Sequence, residues 1–322
     1  MKAVVVSEPG GSEVLHIVDY PVPAVREGWS LVKVRAFGIN RSEIFTRKGL
    51  SPSVQFPRVL GIECVGEIVV STDEKRLPIN QKVVSLMGEM GRAFDGSYAE
   101  YVLLPNQQIY PIASELSWTS LATIPETYYT AFVAMQNLKI QAQDRILVRG
   151  ATSGVGLAFY QLVRARFPEI LLYGTTRYSD KMAWLREYGF TDGLLDEQGQ
   201  LQTPLSFSKV LELIGPKTIK DSIAHIEAGG IICSCGQLGG QWCLADFDPI
   251  EELGNDIYLT TSASRNVNER RFQELLDYIA RYHMKIVPQK IYSLSQIQLA
   301  HQYLESKNSF GKVVIDIELD DK

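Results

Sequence analysis

The chain has 322 residues, 45% hydrophobic and 21% charged, proportions that exclude wholesale disorder and leave room for two ordinary domains. Its 32 Lys and Arg against 37 Asp and Glu give a net charge of -5, which argues against nucleic acid as the main partner. Four cysteines in no framework spacing, no apolar run near the roughly 20 residues of a membrane span and no signal-like start predict a reducing, cytoplasmic setting without a membrane.

Up to about Thr123 the sequence is rich in Val, Gly and Pro, with short alternating runs such as Leu31-Val-Lys-Val-Arg35. This predicts a β-rich domain, with no helix-length apolar periodicity over most of it. It is expected to span 1–123 and to be completed by 263–322. The stretch 124–262 instead alternates strand with helix. Arg145–Arg149 is a predicted strand entering a Gly-rich turn, after which Val155, Ala158, Phe159, Leu162 and Val163 recur at helical spacing. Ile170–Tyr173 is a second strand, followed by a helix with Met182 and Leu185 that Ser179 would cap and Gly189 stop. Strands at Lys209–Ile214 and Gly230–Cys233 flank a helix carrying Ile219, Ile223 and Ile226. Such alternation implies parallel strands joined by right-handed crossovers, hence the α/β class with a doubly wound parallel sheet. Helices over Glu269–Tyr282 and Gln296–Ser306 and a last strand, Lys312–Asp316, are too little for a core of their own. They are expected to return to the first domain.

Gly150, Thr152, Ser153, Gly154, Val155 and Gly156 lie between a predicted strand and a predicted helix, the context a dinucleotide turn requires. Glycines let the backbone approach a pyrophosphate, which then faces amide N–H groups and the positive helix end. The end of the second strand reads Gly174-Thr175-Thr-Arg177-Tyr-Ser-Asp-Lys181, without the acid that would bind the ribose hydroxyls of NAD. Arg177 can hold a phosphate through its planar fork and Lys181 adds a point charge, so NADPH is the expected cofactor. The bland alternative makes both solvated surface charges partnered by Asp180. Thr175, and Gly236 after the Cys233-Ser-Cys235 segment, complete the candidate cofactor set.

Five ordered segments resemble a known family. Gly38-Ile-Asn40-Arg-Ser-Glu43 with Arg47 and Gly49, Pro57-Arg-Val-Leu-Gly61-Ile-Glu63-Cys-Val-Gly66, Gly96-Ser-Tyr-Ala99-Glu100-Tyr101, Pro125 through Thr130-Ala131, and Gly150 to Gly156 are similar to motifs of zinc-independent medium-chain dehydrogenases/reductases. The group is that of quinone oxidoreductases related to ζ-crystallin. The resemblance implies a GroES-like β-barrel domain plus a Rossmann domain, with the active site in the cleft between them. It also implies a homodimer or homotetramer joined through the Rossmann sheet edge, here Asp256-Ile-Tyr-Leu-Thr-Thr261.

Related alcohol dehydrogenases hold a catalytic zinc, but Asn40 and Ile62 stand where their Cys and His would be, leaving Glu63 alone. One carboxylate cannot supply three protein ligands, so no metal is expected. Cys233 and Cys235 read as structural thiols, and His16, His225, His283 and His301 as structural or surface residues. Without a Lewis acid, acceptors that delocalise incoming electrons are favoured, namely quinones and conjugated carbonyls. The expected activity is therefore NADPH-dependent quinone reduction by hydride or single electrons. An alternative is reduction of the C=C bond of enones, alkenals or enoyl thioesters. An alternative of another class is an NADPH-binding structural or RNA-binding protein. The candidate catalytic residues are Asn40 (an amide N–H donor in the cleft, or simply a turn former), Phe45 (where the family often has Tyr) and Thr130. Tyr128 or Tyr129 could replace the missing phenol. Glu43 and Arg47 are expected to pair, and Asp196 would weaken NADPH binding if it stood near a 2′-phosphate.

Overall fold

The computed structural model describes residues 1–262 and 267–321. It divides into two compact units, Met1–Tyr129 with Ser264–Lys322, and Thr130–Ala263. The expected return at 263 falls on residues outside the described ones.

The first unit begins with strands β1 (Lys2–Val6), β2 (His16–Asp19) and β3 (Trp29–Ile39). Helix α1 (Arg41–Arg47) follows directly. Then come β4 (Arg58–Val59), β5 (Glu63–Val70), β6 (Lys82–Leu86), β7 (Tyr101–Pro105), β8 (Tyr110–Pro111), α2 (Trp118–Ala122) and α3 (Pro125–Asn137). The Leu31–Arg35 alternation belongs to the longer β3, whose Val32, Val34 and Ala36 are buried while Lys33 and Arg35 are half-buried on the other face. Helices α1 and α2 have seven and five residues, too short to display a 3.6-residue stripe, and so leave little periodicity to read. Pro125 opens α3, a position where its missing N–H costs nothing. The expected domain boundary precedes this helix, whereas the units divide within it. Its first turns are held by the first unit: the Glu126 N–H donates to Glu63 Oε2 (2.7 Å) and Tyr129 stacks on Phe272.

The second unit contains β9 (Arg145–Arg149), α4 (Gly154–Arg166), β10 (Leu171–Thr176), α5 (Asp180–Tyr188), β11 (Asp192–Glu197), β12 (Gln200–Leu201), β13 (Phe207–Glu212), α6 (Ile219–Ala224), β14 (Ile226–Ser234), α7 (Pro249–Glu252) and β15 (Tyr258–Thr261). Its sheet runs β12-β11-β10-β9-β13-β14-β15. Strands β11 to β15 along this order are parallel, and only β12 is antiparallel to its neighbour. The order reverses between β9 and β13, the crevice where doubly wound sheets bind ligands. Ile226, expected to end a helix, instead opens β14, where it is buried opposite Phe207. Ser179 precedes α5 with helical dihedrals and no side-chain cap bond, while Gly189 ends the helix at φ 115°.

The chain closes with α8 (Glu269–Arg281), β16 (Lys290–Ser293), α9 (Ile297–Glu305) and β17 (Val313–Asp316). Strand β17 pairs antiparallel with β3, so the carboxyl end completes the sheet β16-β17-β3-β5-β6-β8, with β7 also on β3. Val313 and Ile315 join β1, β3 and β5 side chains in one apolar core. Among the described residues, no helix is long and apolar enough to cross a membrane.

Candidate functional site

In the second unit, the ends of β9, β10, β13 and β14 converge on the Gly-rich turn. Gly150 has φ 83° and donates its N–H to Thr175 Oγ1 (3.0 Å), while the Ala151 N–H donates to Thr175 O (3.2 Å). Thr175 therefore braces the turn from β10. A Cβ on Gly156 would lie 2.6 Å from Ala151 O, so only glycine lets α4 start this close to the turn. Ser153 caps α4 by accepting the Gly156 N–H (3.1 Å). The first-turn N–H groups of Gly154 and Val155 lack intrahelical partners and sit at the positive helix end. Thr152 is half-buried beside them. A Cβ on Gly236 would lie 2.3 Å from Leu213 O, and one on Gly215 (φ 89°) 2.4 Å from Gly236 O. Two glycines thus let the ends of β13 and β14 touch. The turn and this opening fit a dinucleotide.

Arg177, one residue past β10, is exposed, with its guanidinium 5.7 Å from the Tyr178 ring and, among the described residues, in no ion pair. Lys181 is buried, its ammonium 5.6 and 5.5 Å from the rings of Tyr178 and Trp184. Burial pulls its pKa below the ordinary lysine value, with Asp180 pulling back and Arg177 adding to the depression. It is not a solvated surface charge, and it sits in the first turn of α5. Asp196 at the end of β11 is also buried and faces Arg149, which is fully buried at the end of β9 (Nε–Oδ2 3.0 Å). Asp196 is thus neutralised within the sheet.

In the first unit, α1, β5 and the residue before β17 build a buried polar cluster. Asn40 Nδ2 donates to Glu43 Oε1 (3.2 Å) and Glu63 Oε1 (2.8 Å), and the Lys312 ammonium donates to Asn40 Oδ1 and Glu63 Oε1. Glu63 Oε2 accepts the Glu126 N–H, and Ser97 Oγ donates to Glu63 O. A Cβ on Gly38 would lie 2.3 Å from Glu63 Oε1, so the β3 backbone at Gly38 makes room for the pair. Burial, and secondarily the charge of Glu63, pushes the Glu43 carboxyl up to about 7, with Lys312 opposing. Asn40, expected to offer an N–H outward, commits both donor bonds to carboxylates. Its backbone also occupies the residue before α1, without a side-chain cap bond.

Glu43 and Arg47 do not pair. Arg47 reaches Glu305 (2.7 Å), Gly10 O and His301 Nδ1 (3.0 Å), while the Glu43 oxygens are taken by Asn40 and Ser42. A guanidinium only donates, so His301 Nδ1 accepts and Nε2 carries the proton toward Tyr98 Oη (3.0 Å). Burial, then the Arg47 charge, lowers His301 to about 3. Phe45 is half-buried, with the Arg41 guanidinium 5.6 Å from its ring centre. Tyr128, Tyr129 and Thr130 are buried on α3, and the Tyr129 hydroxyl accepts the Asn268 N–H (3.3 Å). Cys233 is buried and Cys235 half-buried, and neither forms a disulfide.

The residues do not fit a catalytic zinc. Asn40 and Ile62 are poor or impossible ligands, Glu63 is taken by an ammonium, and Glu43 accepts from Asn40 and Ser42. Among the described residues, no three His, Cys, Asp or Glu side chains are placed to share a metal. Sequence reasoning missed Lys312, Arg149 and Gly215. Gly311-Lys312 ahead of a strand and Ile214-Gly215-Pro216 after one were visible, but Lys312 lies 249 residues from Glu63, Arg149 47 from Asp196, and Gly215 packs on Gly236, which follows another strand.

Residues 26–114 match the model of the alcohol dehydrogenase GroES-like domain, and residues 188–315 that of zinc-binding dehydrogenases. The quinone oxidoreductase of Lama guanicoe is 27% identical over 98% of this chain and 97% of its own. The structure of the quinone oxidoreductase from Coxiella burnetii superposes with a TM-score of 0.84 at 24% identity, covering 98% of this chain and 99% of the other. A mycobacterial protein solved in complex with NADPH gives 0.82 at 24% identity, over 98% and 99% of the two chains. At such identities the structures speak for the fold.

Proposed function

We propose that this chain, which belongs to the medium-chain dehydrogenase/reductase family that includes the quinone oxidoreductases, reduces quinones with NADPH and without a metal. That it is an NAD(P)-dependent oxidoreductase follows from the family. The cofactor choice, the acceptor and the metal independence are our reading. The observation that carries it is the turn Gly150–Gly156, set by close backbone packing at the head of α4, with Arg177 exposed beside it and no acid at the end of β10.

The N–H groups of Gly154 and Val155 would hold the pyrophosphate, and Arg177 the 2′-phosphate as a bidentate fork. Lys181, buried under two rings, adds positive potential from behind. NADPH, when bound, supplies the hydride. The Asn40–Glu63–Lys312 cluster fixes the junction of β3 and α1, and this makes Asn40 a positioning residue rather than a donor to the acceptor. Phe45 stays a candidate toward the acceptor, and Thr130 a candidate toward the nicotinamide. Without a divalent cation the protein has no strong means of stabilising an alkoxide. It therefore suits acceptors whose own conjugation spreads the negative charge. The exposed Tyr258 and Leu259 on edge strand β15 support pairing of two copies through that edge.

The test is NADPH oxidation by a small para-quinone in EDTA, compared with an enone and with ethanol oxidation. Quinone turnover that survives chelation is expected. Activity lost on chelation and restored by zinc would overturn the metal-free reading, and preference for the enone would assign the protein to C=C reduction. Replacing Arg177 with Ala should raise the Kd for NADPH at least tenfold more than that for NADH, since a phosphate loses two charge-assisted bonds.

A further inference from the structure

Arg149 is an unusual residue to find at the end of a central strand. It is fully buried, and a buried cation persists only where it is fully partnered. Its Nε and Nη2 both bond Asp196 Oδ2 (3.0 Å each), and its Nη1 bonds Asp221 Oδ2 (2.7 Å). Further bonds reach Thr218 O, Ser222 Oγ and Gly199 O. The neighbouring Glu212, paired with Arg149 in the β9–β13 register, is occupied by the N–H groups of Ile214 and Gly215 and by Ser222 Oγ.

The strand register shows what Asp196 would otherwise do. Strands β10 and β11 pair as far as Thr176 opposite Leu195, neighbours about 5 Å apart, and Arg177 and Asp196 are the residues that follow this pair on the two chains. A free carboxylate at Asp196 would therefore compete for the Arg177 fork and repel a phosphate. Yet Asp196 turns inward to Arg149, and Arg177 is left without a carboxylate partner among the described residues.

We infer that Arg149 is a specificity-determining residue, which sequesters Asp196 and so keeps Arg177 available for the 2′-phosphate. This rests on the NADPH reading above. The experiment measures Kd for NADPH and NADH by fluorescence titration of the full chain, for wild type, Asp196→Asn, Arg149→Met and the double variant. Asp196→Asn, in which Arg149 keeps the Asp221 carboxylate, leaves the NADH/NADPH ratio of Kd values within twofold of wild type. Arg149→Met lowers that ratio about tenfold, the scale of one charge-assisted bond, and the double variant restores it. If Asp196→Asn instead tightens NADPH more than fivefold, or if Arg149→Met weakens both cofactors equally, the sequestration is refuted.

A cofactor-free cycle separates the two ideas. In the Arg149→Met background, Arg177→Ala and Asp196→Asn should become coupled by about threefold or more in the unfolding equilibrium, the size of an exposed ion pair. In wild type they should be additive. New coupling together with a wild-type Kd ratio near one would keep the sequestration and refute the NADPH reading. Absence of new coupling would refute the sequestration whatever the cofactor.

Discussion

Replacing Glu43 with Gln should stabilise the protein at high pH and leave it unchanged at low pH. The Glu43 carboxyl is fully buried and moved from an ordinary 4.5 to about 7. Between these values the folded protein binds a proton that the unfolded chain has released. Stability therefore falls as pH rises through this window, and the whole penalty is present above pH 7. At about 1.4 kcal/mol per pH unit, the penalty is about 3 kcal/mol. Gln keeps the shape and an oxygen to accept from Asn40 Nδ2 or Ser42 Oγ, now bonded to the two carboxyl oxygens at 3.2 and 2.9 Å. Urea unfolding followed by tryptophan fluorescence, at half-unit steps from pH 4.5 to 8.5, gives the difference between variant and wild type. Groups common to both cancel in that difference. A gap that opens from near zero to about 3 kcal/mol is expected. A difference flat across the range would show that Glu43 is not held protonated by burial and the Glu63 charge, and the cluster would need another account.

Two further perturbations probe the same unit. His301 is lowered from 6.5 to about 3, so it stays neutral in the folded state while the unfolded chain takes up a proton. Relative to His301→Gln, wild type should lose about 1.4 kcal/mol per pH unit as pH falls below 6.5; parallel urea midpoints for the two proteins down to pH 4 would argue against the neutral, Arg47-facing tautomer. Lys312→Met leaves Glu63 buried without its cation and should cost about 3–5 kcal/mol in denaturant unfolding, most of it recovered when Glu63→Gln is added. If the double variant is as unstable as the single, the cost lies in packing around Lys312 rather than in the stranded charge.

The sequence by itself determined the alternation of strand and helix in the second unit and the place of its glycine turn. These are local signals: a run of branched residues, a glycine that must turn, a stripe every 3.6 residues. The return of the last strand to the first sheet was legible for a related reason, since a short remnant has no core of its own. Tertiary structure alone decided which charges meet. Lys312 is separated from Glu63 by 249 residues and Arg149 from Asp196 by 47, and no periodicity reports such distances. Asn40 therefore read as an outward donor and Asp196 as a threat to a phosphate, until β17 brought an ammonium to one and β9 a guanidinium to the other. Burial is what gives these pairings their force: a charge removed from water must find its partner wherever the fold supplies it.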